Sequence, residues 1–434
     1  MIAPSPDWLA ARRLGAARAL RRATSATGLA RHRAGFGWTV VPAPGSILAS
    51  TRTASWDPEP DYFHHWIRDA AIALRAVPAA IAADPEARGF WTRAVADHIR
   101  FSLAISDPDR AGPATNPLAA TATPEFRKFL RPDAELAALG GSAWLEEPRC
   151  APDGGPDLEQ WGRPQDDGPA LRASALMGLL DEMPELAGDG TGTEALIARD
   201  LAHVTAVAGR PCIGPWEESP PRRTTFTLIV EWDALTRGAA RSSGADAAAM
   251  LAAADRVAGL IDEAEDRATG VWRESIEAPA GHLDSATILA VLHADRRDGR
   301  FALDAPQTRA TAAALEAIFA TLYPLNAGRA APAMGRWRED VYFGGNPWLP
   351  VTLGFAELSY RIAAQRQDPA AFAKAEDWMA WVEAVAPEGD DLPEQIDRKT
   401  GAPAACLALT WSAAAFLGAA TARDAAVQAL ASPR

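Results

Sequence analysis

Apolar residues in this 434-residue chain recur at three- and four-residue intervals almost from end to end, the period of helices with a buried face. Gly, Pro and Asp punctuation cuts the pattern into about twelve helical stretches. They run 5–28, 66–85, 88–105, 169–183, 192–209, 224–240, 245–265, 282–294, 306–322, 346–364, 369–386 and 404–420. Strand signals are few. Residues 35–41 and 224–232 are β-branched and aromatic, and the second run fits equally a helix buried on all sides. Single cores usually stop growing near ~250–300 residues, so this length suggests two or three domains. A ring of repeated hairpins escapes that limit, because each hairpin packs only on its neighbours.

The linkers alternate in character. Those after the second, fourth, sixth and tenth stretches are short and plain, as at 242–244 and 367–369, and the one after the eighth (294–304) is longer but ordinary. Those before the even-numbered stretches are rich in Trp, Tyr, Arg, Asp, Glu and Gly. Antiparallel helices joined end to end place every second connection on one side. Six chemically equipped loops therefore gather at one end of an all-α ring of six hairpins, an (α/α)6 barrel. The longest loop, about 106–168, carries Trp144 and Trp161. Loops of that length are usually functional or disordered, and the aromatics favour function.

Composition removes several classes. Lys and Arg number 43 against 56 Asp and Glu, a net charge of −13 that suits neither nucleic acid nor anionic lipid. Cys150, Cys212 and Cys406 lie far apart with no ligand spacing, which argues against zinc, any other metal centre or a disulfide scaffold. The first 25 residues alternate Ala and Leu with Arg, as an amphipathic helix does and a secretory leader does not. No run reaches the ~20 apolar residues that span a bilayer. A cytoplasmic, monomeric protein is expected.

Five loops carry the chemistry. Asp61-Tyr62-Phe63-His64-His65-Trp66-Ile67-Arg68-Asp69 offers a clamp for hydroxyls beside stacking rings, or simply a helix N-terminus with surface histidines. Trp161-Gly162-Arg163-Pro164-Gln165-Asp166-Asp167 is a solvated turn unless Trp161 has a role. In Trp216-Glu217-Glu218 the adjacent carboxylates and the indole would raise the pKa of one Glu, as a general acid needs, although paired loop glutamates are usually surface residues. The run from Arg336 through Tyr342 to Gly344-Gly345-Asn346-Pro347-Trp348 suits a sugar subsite or a buried ion-pair loop. Glu394, in Pro393-Glu394-Gln395-Ile396-Asp397, supplies a second carboxylate or a surface charge, and Thr410-Trp411-Ser412 follows. None of these is decisive alone. Aromatic residues with an acid or Arg recur in all five, and all five fall at one face.

Together these loops resemble the glucoamylases, glycoside hydrolase family 15, over about residues 35–420. The matching runs are Asp-Tyr-Phe and Trp-Ile-Arg-Asp within 61–69, Trp-Gly-Arg-Pro-Gln and Asp-Gly-Pro-Ala-Leu-Arg-Ala within 161–173, and Trp-Glu-Glu at 216–218. Gly-Arg with Glu-Asp and Tyr at 335–342, Gly-Asn-Pro-Trp at 345–348, Glu-Gln with Asp at 394–397 and Thr-Trp-Ser at 410–412 complete the set. The resemblance implies Glu217 as general acid and Glu394 as general base, with Glu218 binding the sugar beside the cleavage point. It implies that Arg68, Asp69 and Arg336 hold hydroxyls and that Tyr62 stands near the developing oxocarbenium. Trp66, Trp161, Arg163, Trp216, Tyr342 and Trp411 would contact substrate.

The expected activity is inverting, exo-acting hydrolysis of an α-glucan with release of β-glucose, needing no cofactor. A single catalytic domain over 1–434 is expected, with neither a starch-binding module nor a β-sandwich ahead of the barrel, and hence soluble maltooligosaccharides or dextrins as substrates. Two departures stand out. Arg222-Arg223 after Pro220-Pro221 would bear on the acceptor site and the linkage, and His64-His65 replaces an aromatic and hydroxyl pair. Hydrolysis of α-1,6 links or of trehalose remains open on the same machinery. A non-catalytic glycan-binding ring would show a lost carboxylate, and a terpenoid-type barrel would show an Asp cluster on a helix face; neither sign is present.

Overall fold

The computed structural model of the chain describes residues 3–52, 60–188 and 190–432. Its helices are α1 (Pro6–Ala23), α2 (Ile67–Arg75), α3 (Val77–Ala83), α4 (Arg88–Ile105), α5 (Asp133–Ala137), α6 (Asp167–Glu182) and α7 (Thr193–Val207). There follow α8 (Thr225–Arg241), α9 (Gly244–Ala264), α10 (Ala286–Ala294), α11 (Pro306–Leu322), α12 (Leu349–Arg366), α13 (Pro369–Val385) and α14 (Thr410–Ala431).

Six of them close a ring. Helix α2 packs on α6, α6 on α8, α8 on α10, α10 on α12, α12 on α14, and α14 returns to α2. An outer layer covers them, with α7 against α6, α9 against α8, α13 against α12, and α1 against α14 and α3. This is the (α/α)6 barrel. Inner helices are buried all round: every residue of α10 from Ala286 to Leu292 is, and so is every residue of α8 from Thr225 to Glu231. Residues 224–232 are thus the helix of the two readings, buried through Glu231 with Trp232 half-buried, and the Thr224 cap accepts the Thr227 N–H at 3.3 Å.

Several boundaries move for identifiable reasons. The stretch 66–85 is two helices parted at Ala76, where Pro78 starts the second and removes a donor the first would need. Helix α1 stops at Ala23, because Thr24 is extended and bridges to Ile47. Helix α10 begins only at Ala286, whose N–H is taken by the Asp284 carboxylate at 2.7 Å. Residues 404–409 are not helical.

Four two-stranded ladders fasten the loops: β1 (Arg31–Arg33) with β2 (Trp38–Val40), β3 (His65–Trp66) with β4 (Arg149–Cys150), β5 (Glu265–Asp266) with β6 (Val271–Trp272), and β7 (Gln395–Ile396) with β8 (Pro403–Ala404). Of the expected strand at 35–41 only Trp38–Val40 is realised, as β2, because Ala34–Phe36 forms a 3-10 turn ending at the left-handed Gly37. The long loop is ordered, with a core of its own formed by Phe36, Leu118, Leu136, Leu139, Trp144 and Leu158. Trp144 serves that core, its indole N–H donating to the Arg110 carbonyl at 2.9 Å. All three cysteines are buried and unbridged. Among the described residues no helix is long and apolar enough to cross a membrane.

Candidate active site

The inner helices all start at one end of the ring, and the loops preceding five of them, all but α10, enclose a cavity of about 200 Å³. Tyr62, Trp66, Arg68 and Asp69 reach it from the start of α2, Trp161 from the loop before α6, and Trp216, Glu217 and Glu218 from the loop before α8. Arg336, Tyr342, Glu394 and Trp411 complete the wall. Twelve of the thirteen residues singled out above thus line one cavity. Arg163 does not: its guanidinium donates to Glu147 at 2.9 Å and to Asp157 at 2.9 Å, and so fastens the loop. Ala49, Pro215, Trp348 and Leu409 also line the cavity. A larger cavity of about 370 Å³ runs along the inner helices from behind Trp411 to their C-terminal ends. The arginines there are already engaged, Arg75 donating to the Leu292 carbonyl at 2.6 Å and Arg237 to that of Ala294 at 2.8 Å. They cap the C-terminus of α10, and neither Glu217 nor Glu394 lines that cavity.

Glu217 sits in a tight turn whose N–H returns to the Gly214 carbonyl at 3.2 Å, with φ at +60°. A side-chain-bearing residue holds that left-handed conformation at a cost of about 1–3 kcal/mol, as active-site residues often do. Its Oε1 accepts the Trp66 indole N–H at 2.7 Å and two Arg68 N–H groups at 3.4 Å, and its Oε2 accepts the indole N–H of Trp161. Gln165 steadies the turn by donating to the Gly214 carbonyl at 2.6 Å.

The sequence argument for the acid loop needs correction in two places. The indole of Trp216 serves Asp284 (2.8 and 2.9 Å), not the neighbouring glutamates. Glu218 turns away from Glu217 toward Arg336, 3.7 Å off, with its side chain 58% exposed. Burial pushes the carboxyls of Glu394, Asp167 and Asp284 up to about 7.

Glu394 is held by the β7–β8 hairpin. Its N–H donates to the Cys406 carbonyl at 2.7 Å, and its Oε2 accepts the Cys406 N–H at 3.2 Å. Strand β8 and the turn after it, with Ala405 at positive φ, take up the residues before Thr410, which is why helix α14 cannot begin earlier. Oε1 accepts the Tyr62 hydroxyl at 3.2 Å, and Tyr62 meets the Tyr342 hydroxyl at 2.6 Å. Burial pushes Glu394 up to about 7, opposed by the Cys406 N–H, Arg336 and Tyr62. Burial likewise raises Asp69, against the pull of Arg68 3.0 Å away. Asp167 is pushed up to about 7, again by burial first.

Arg336 is locked by Asp340 at 2.8 and 2.5 Å, with its guanidinium among the rings of Trp216, Trp337, Tyr342 and Trp348. Gly335 before it has to be glycine, since a Cβ would stand 1.9 Å from the Tyr323 hydroxyl. Asn346 ties this loop to Glu394's neighbour, donating to Gln395 Oε1 at 3.2 Å. Trp411 stacks on Trp216 at 6.0 Å and 16°, and its helix start is pinned by Ser412 donating to the Pro393 carbonyl at 2.7 Å.

Residues 154–421 match the family described as Glycosyl hydrolases family 15. The chain belongs to this family. It is 28% identical to Glucoamylase P of Amorphotheca resinae, over 95% of this chain and 70% of that protein. It is also 28% identical to Glucoamylase 1 of Rhizopus oryzae, over 74% of this chain but half of the relative. The solved glucoamylase of Saccharomycopsis fibuligera superposes with a TM-score of 0.76 at 20% identity, covering 98% of this chain and 97% of that one. A glycosidase variant solved in complex with glucose superposes at 0.65, with 19% identity and 97% and 99% coverage. The family 15 chain is thus a glucoamylase-like glycoside hydrolase on the family's helical ring.

Proposed function

We propose that this family 15 hydrolase cleaves soluble α-1,4-glucans and maltooligosaccharides from their non-reducing ends, inverting configuration and releasing β-D-glucose. The observation that carries the proposal is that two carboxyls, Glu217 and Glu394, line one small cavity together with indoles, tyrosines and arginines, the two-carboxylate arrangement such hydrolysis requires.

Glu217 gives its proton to the glycosidic oxygen as the bond from that oxygen to the anomeric carbon breaks. Glu394, ionised, takes a proton from a water on the opposite face, whose oxygen bonds to the anomeric carbon. The released alcohol and β-glucose balance the sugar and water consumed, and solvent restores both carboxyls. Such pairs stand about 6.5–9.5 Å apart to admit the water. A base with a pKa near 7 is stronger than an ordinary glutamate yet half ionised at neutral pH. On this reading Tyr62 stands near the developing oxocarbenium and Arg68, Asp69 and Arg336 hold hydroxyls, which is supported by all four lining the same cavity.

Exposure supports exo action. Glu218 at the rim is 58% exposed on its side chain, Glu217 12%, and Glu394 only 1%. A chain end entering past Glu218 would therefore reach Glu217 first and the more deeply buried Glu394 last. An adjoining cavity of about 210 Å³ shares Trp216 and Glu218 and is walled by Arg222, Glu274, His282 and Trp337. Arg222 pairs there with Glu274 at 3.4 Å. That wall is where an α-1,6 or α,α-1,1 preference would be written.

The test is glucose release from maltose, maltotriose, isomaltose, trehalose and soluble starch, with the first-formed anomer read by proton NMR. Initial β-glucose from the α-1,4 substrates is expected. Initial α-glucose would overturn the inverting pair, and faster release from isomaltose or trehalose would reassign the linkage.

A further inference from the structure

The cation closest to both indoles that serve Glu217 has no part in the mechanism so far. Arg149 lies in β4, directly opposite Trp66 in the two-residue ladder with β3. Its side chain is 1% exposed and is gripped by Asp157, with Nε donating at 3.0 Å and Nη2 at 3.4 Å, while Glu159 lies 3.8 Å away. The guanidinium carbon sits 3.7 Å from the ring centre of Trp161 and 4.9 Å from that of Trp66. The two indoles meet edge to face at 5.9 Å, and each gives its N–H to a different oxygen of Glu217. One buried cation therefore lies behind both donors.

We propose that Arg149 is a positioning residue for the acid step: through the two indoles it orients and polarises the N–H groups that hold Glu217. A cation on an indole face draws electron density from the ring, and the N–H at the edge becomes a stronger donor through the same polarisation that strengthens hydrogen-bond chains in a low dielectric. The arrangement also explains the two residues of the long loop that do not reach substrate. Arg163 donates to the same Asp157 that grips Arg149, and Glu147 anchors Arg163 in turn. The loop from 106 to 168 so builds a charged backing for the donors of Glu217. This inference rests on the acid role proposed above for Glu217.

The experiment compares kcat/KM for maltose, whose leaving group needs a proton, with that for α-D-glucosyl fluoride, whose leaving group needs little. The ratio of the two is independent of how much of a preparation is folded. In Arg149→Met the maltose-to-fluoride ratio is expected to fall about tenfold, a part of the ~10²–10⁴-fold that general acid catalysis supplies. Arg149→Lys keeps the charge and is expected to recover most of that loss. Where Arg149→Met fails to fold because Asp157 is left buried, the double variant Arg149→Met with Asp157→Asn removes the stranded charge and should show the same lowered ratio.

An unchanged ratio in the Met or double variant, or a Lys variant no better than Met, overturns the proposal. Glu217→Gln, measured alongside, separates the two ideas. A collapsed ratio there with an unchanged one in the Arg149 variants refutes Arg149's role alone. An unchanged ratio in Glu217→Gln sinks the acid assignment and this inference with it.

Discussion

Glu394 provides the sharpest test of the chemistry, because its surroundings set a number. Burial drives its pKa to about 7, and three groups pull it back down: the Cys406 N–H, Arg336 and the Tyr62 hydroxyl. The proposed base must be ionised to work, so the acidic limb of kcat/KM should lie near pH 7 and fall tenfold for each unit below it. At pH 6 about a tenth of the plateau remains. Removing the Tyr62 hydroxyl deletes one bond to the charged form. Such bonds contribute ~1.5–3 kcal/mol at good geometry, and 3.2 Å places this one at the lower end. Since ~1.4 kcal/mol equals one pH unit, Tyr62→Phe should carry the acidic limb upward by roughly half to one unit. The assay is initial glucose release from subsaturating maltose between about pH 4 and 9, where kcat/KM reports the free enzyme. A wild-type limb near the ordinary glutamate value of ~4.3, or a Tyr62→Phe limb that stays put or moves down, would refute the reasoning from burial.

The other expectations concern the acid, the core and the pH dependence of stability. Glu217→Gln should abolish turnover of maltose yet leave most hydrolysis of glucosyl fluoride, whereas Glu394→Gln should damage both; equal losses on both substrates in both variants would mean the roles are misassigned. Arg172 and Asp200 form a fully buried pair at 2.7 and 2.8 Å, and Arg172→Met should destabilise by about 3–5 kcal/mol in thermal or urea unfolding. Asp167 is buried at the start of α6 with neither oxygen hydrogen-bonded, and burial raises it to about 7. A carboxyl raised on folding contributes stability below its unfolded pKa of ~3.9 and loses it as pH climbs through the folded value. Asp167→Asn should therefore gain more in Tm over wild type at about pH 8 than at about pH 5; an equal gain at both would show that Asp167 does not titrate in that window.

The ring was readable because helices buried in a closed circle must be apolar on all sides, and those outside on one face only. Residues 286–292 and 225–231 carry that signal, although the second run is also strand-like in composition. Helix starts were less visible where a loop carboxylate or a hairpin intervenes. Nothing local marks Ala286 as the first helical residue until Asp284 is seen taking its N–H. Nor do the residues after Pro403 announce a strand until Glu394 is found paired across from Cys406. Within the site, aromatic and charged motifs located all the lining residues but the bland ones, Ala49, Pro215 and Leu409, and Trp348, whose motif was noted without a role for the ring. Arg163 misled because its neighbours face the cavity while its own side chain turns back to Glu147 and Asp157. Arg149 carried no signal: it stands outside every motif, and only the ladder opposite Trp66 brings it under the indoles.

The closure of α14 onto α2 joins segments made far apart in time. From Arg75 to Thr410 the chain runs 410 − 75 = 335 residues, and at ~5–20 residues per second a ribosome needs roughly twenty seconds to a minute to cover them. Throughout that interval the edge of α2 that α14 will cover has no partner, which invites chaperones to hold it. The same delay orders the chemistry. Glu217 is synthesised 177 residues before Glu394 (394 − 217), and the Cys406 hairpin and Trp411 follow later still. A nascent ring would therefore hold the proposed acid without the proposed base, and hydrolysis would switch on only when the circle closes.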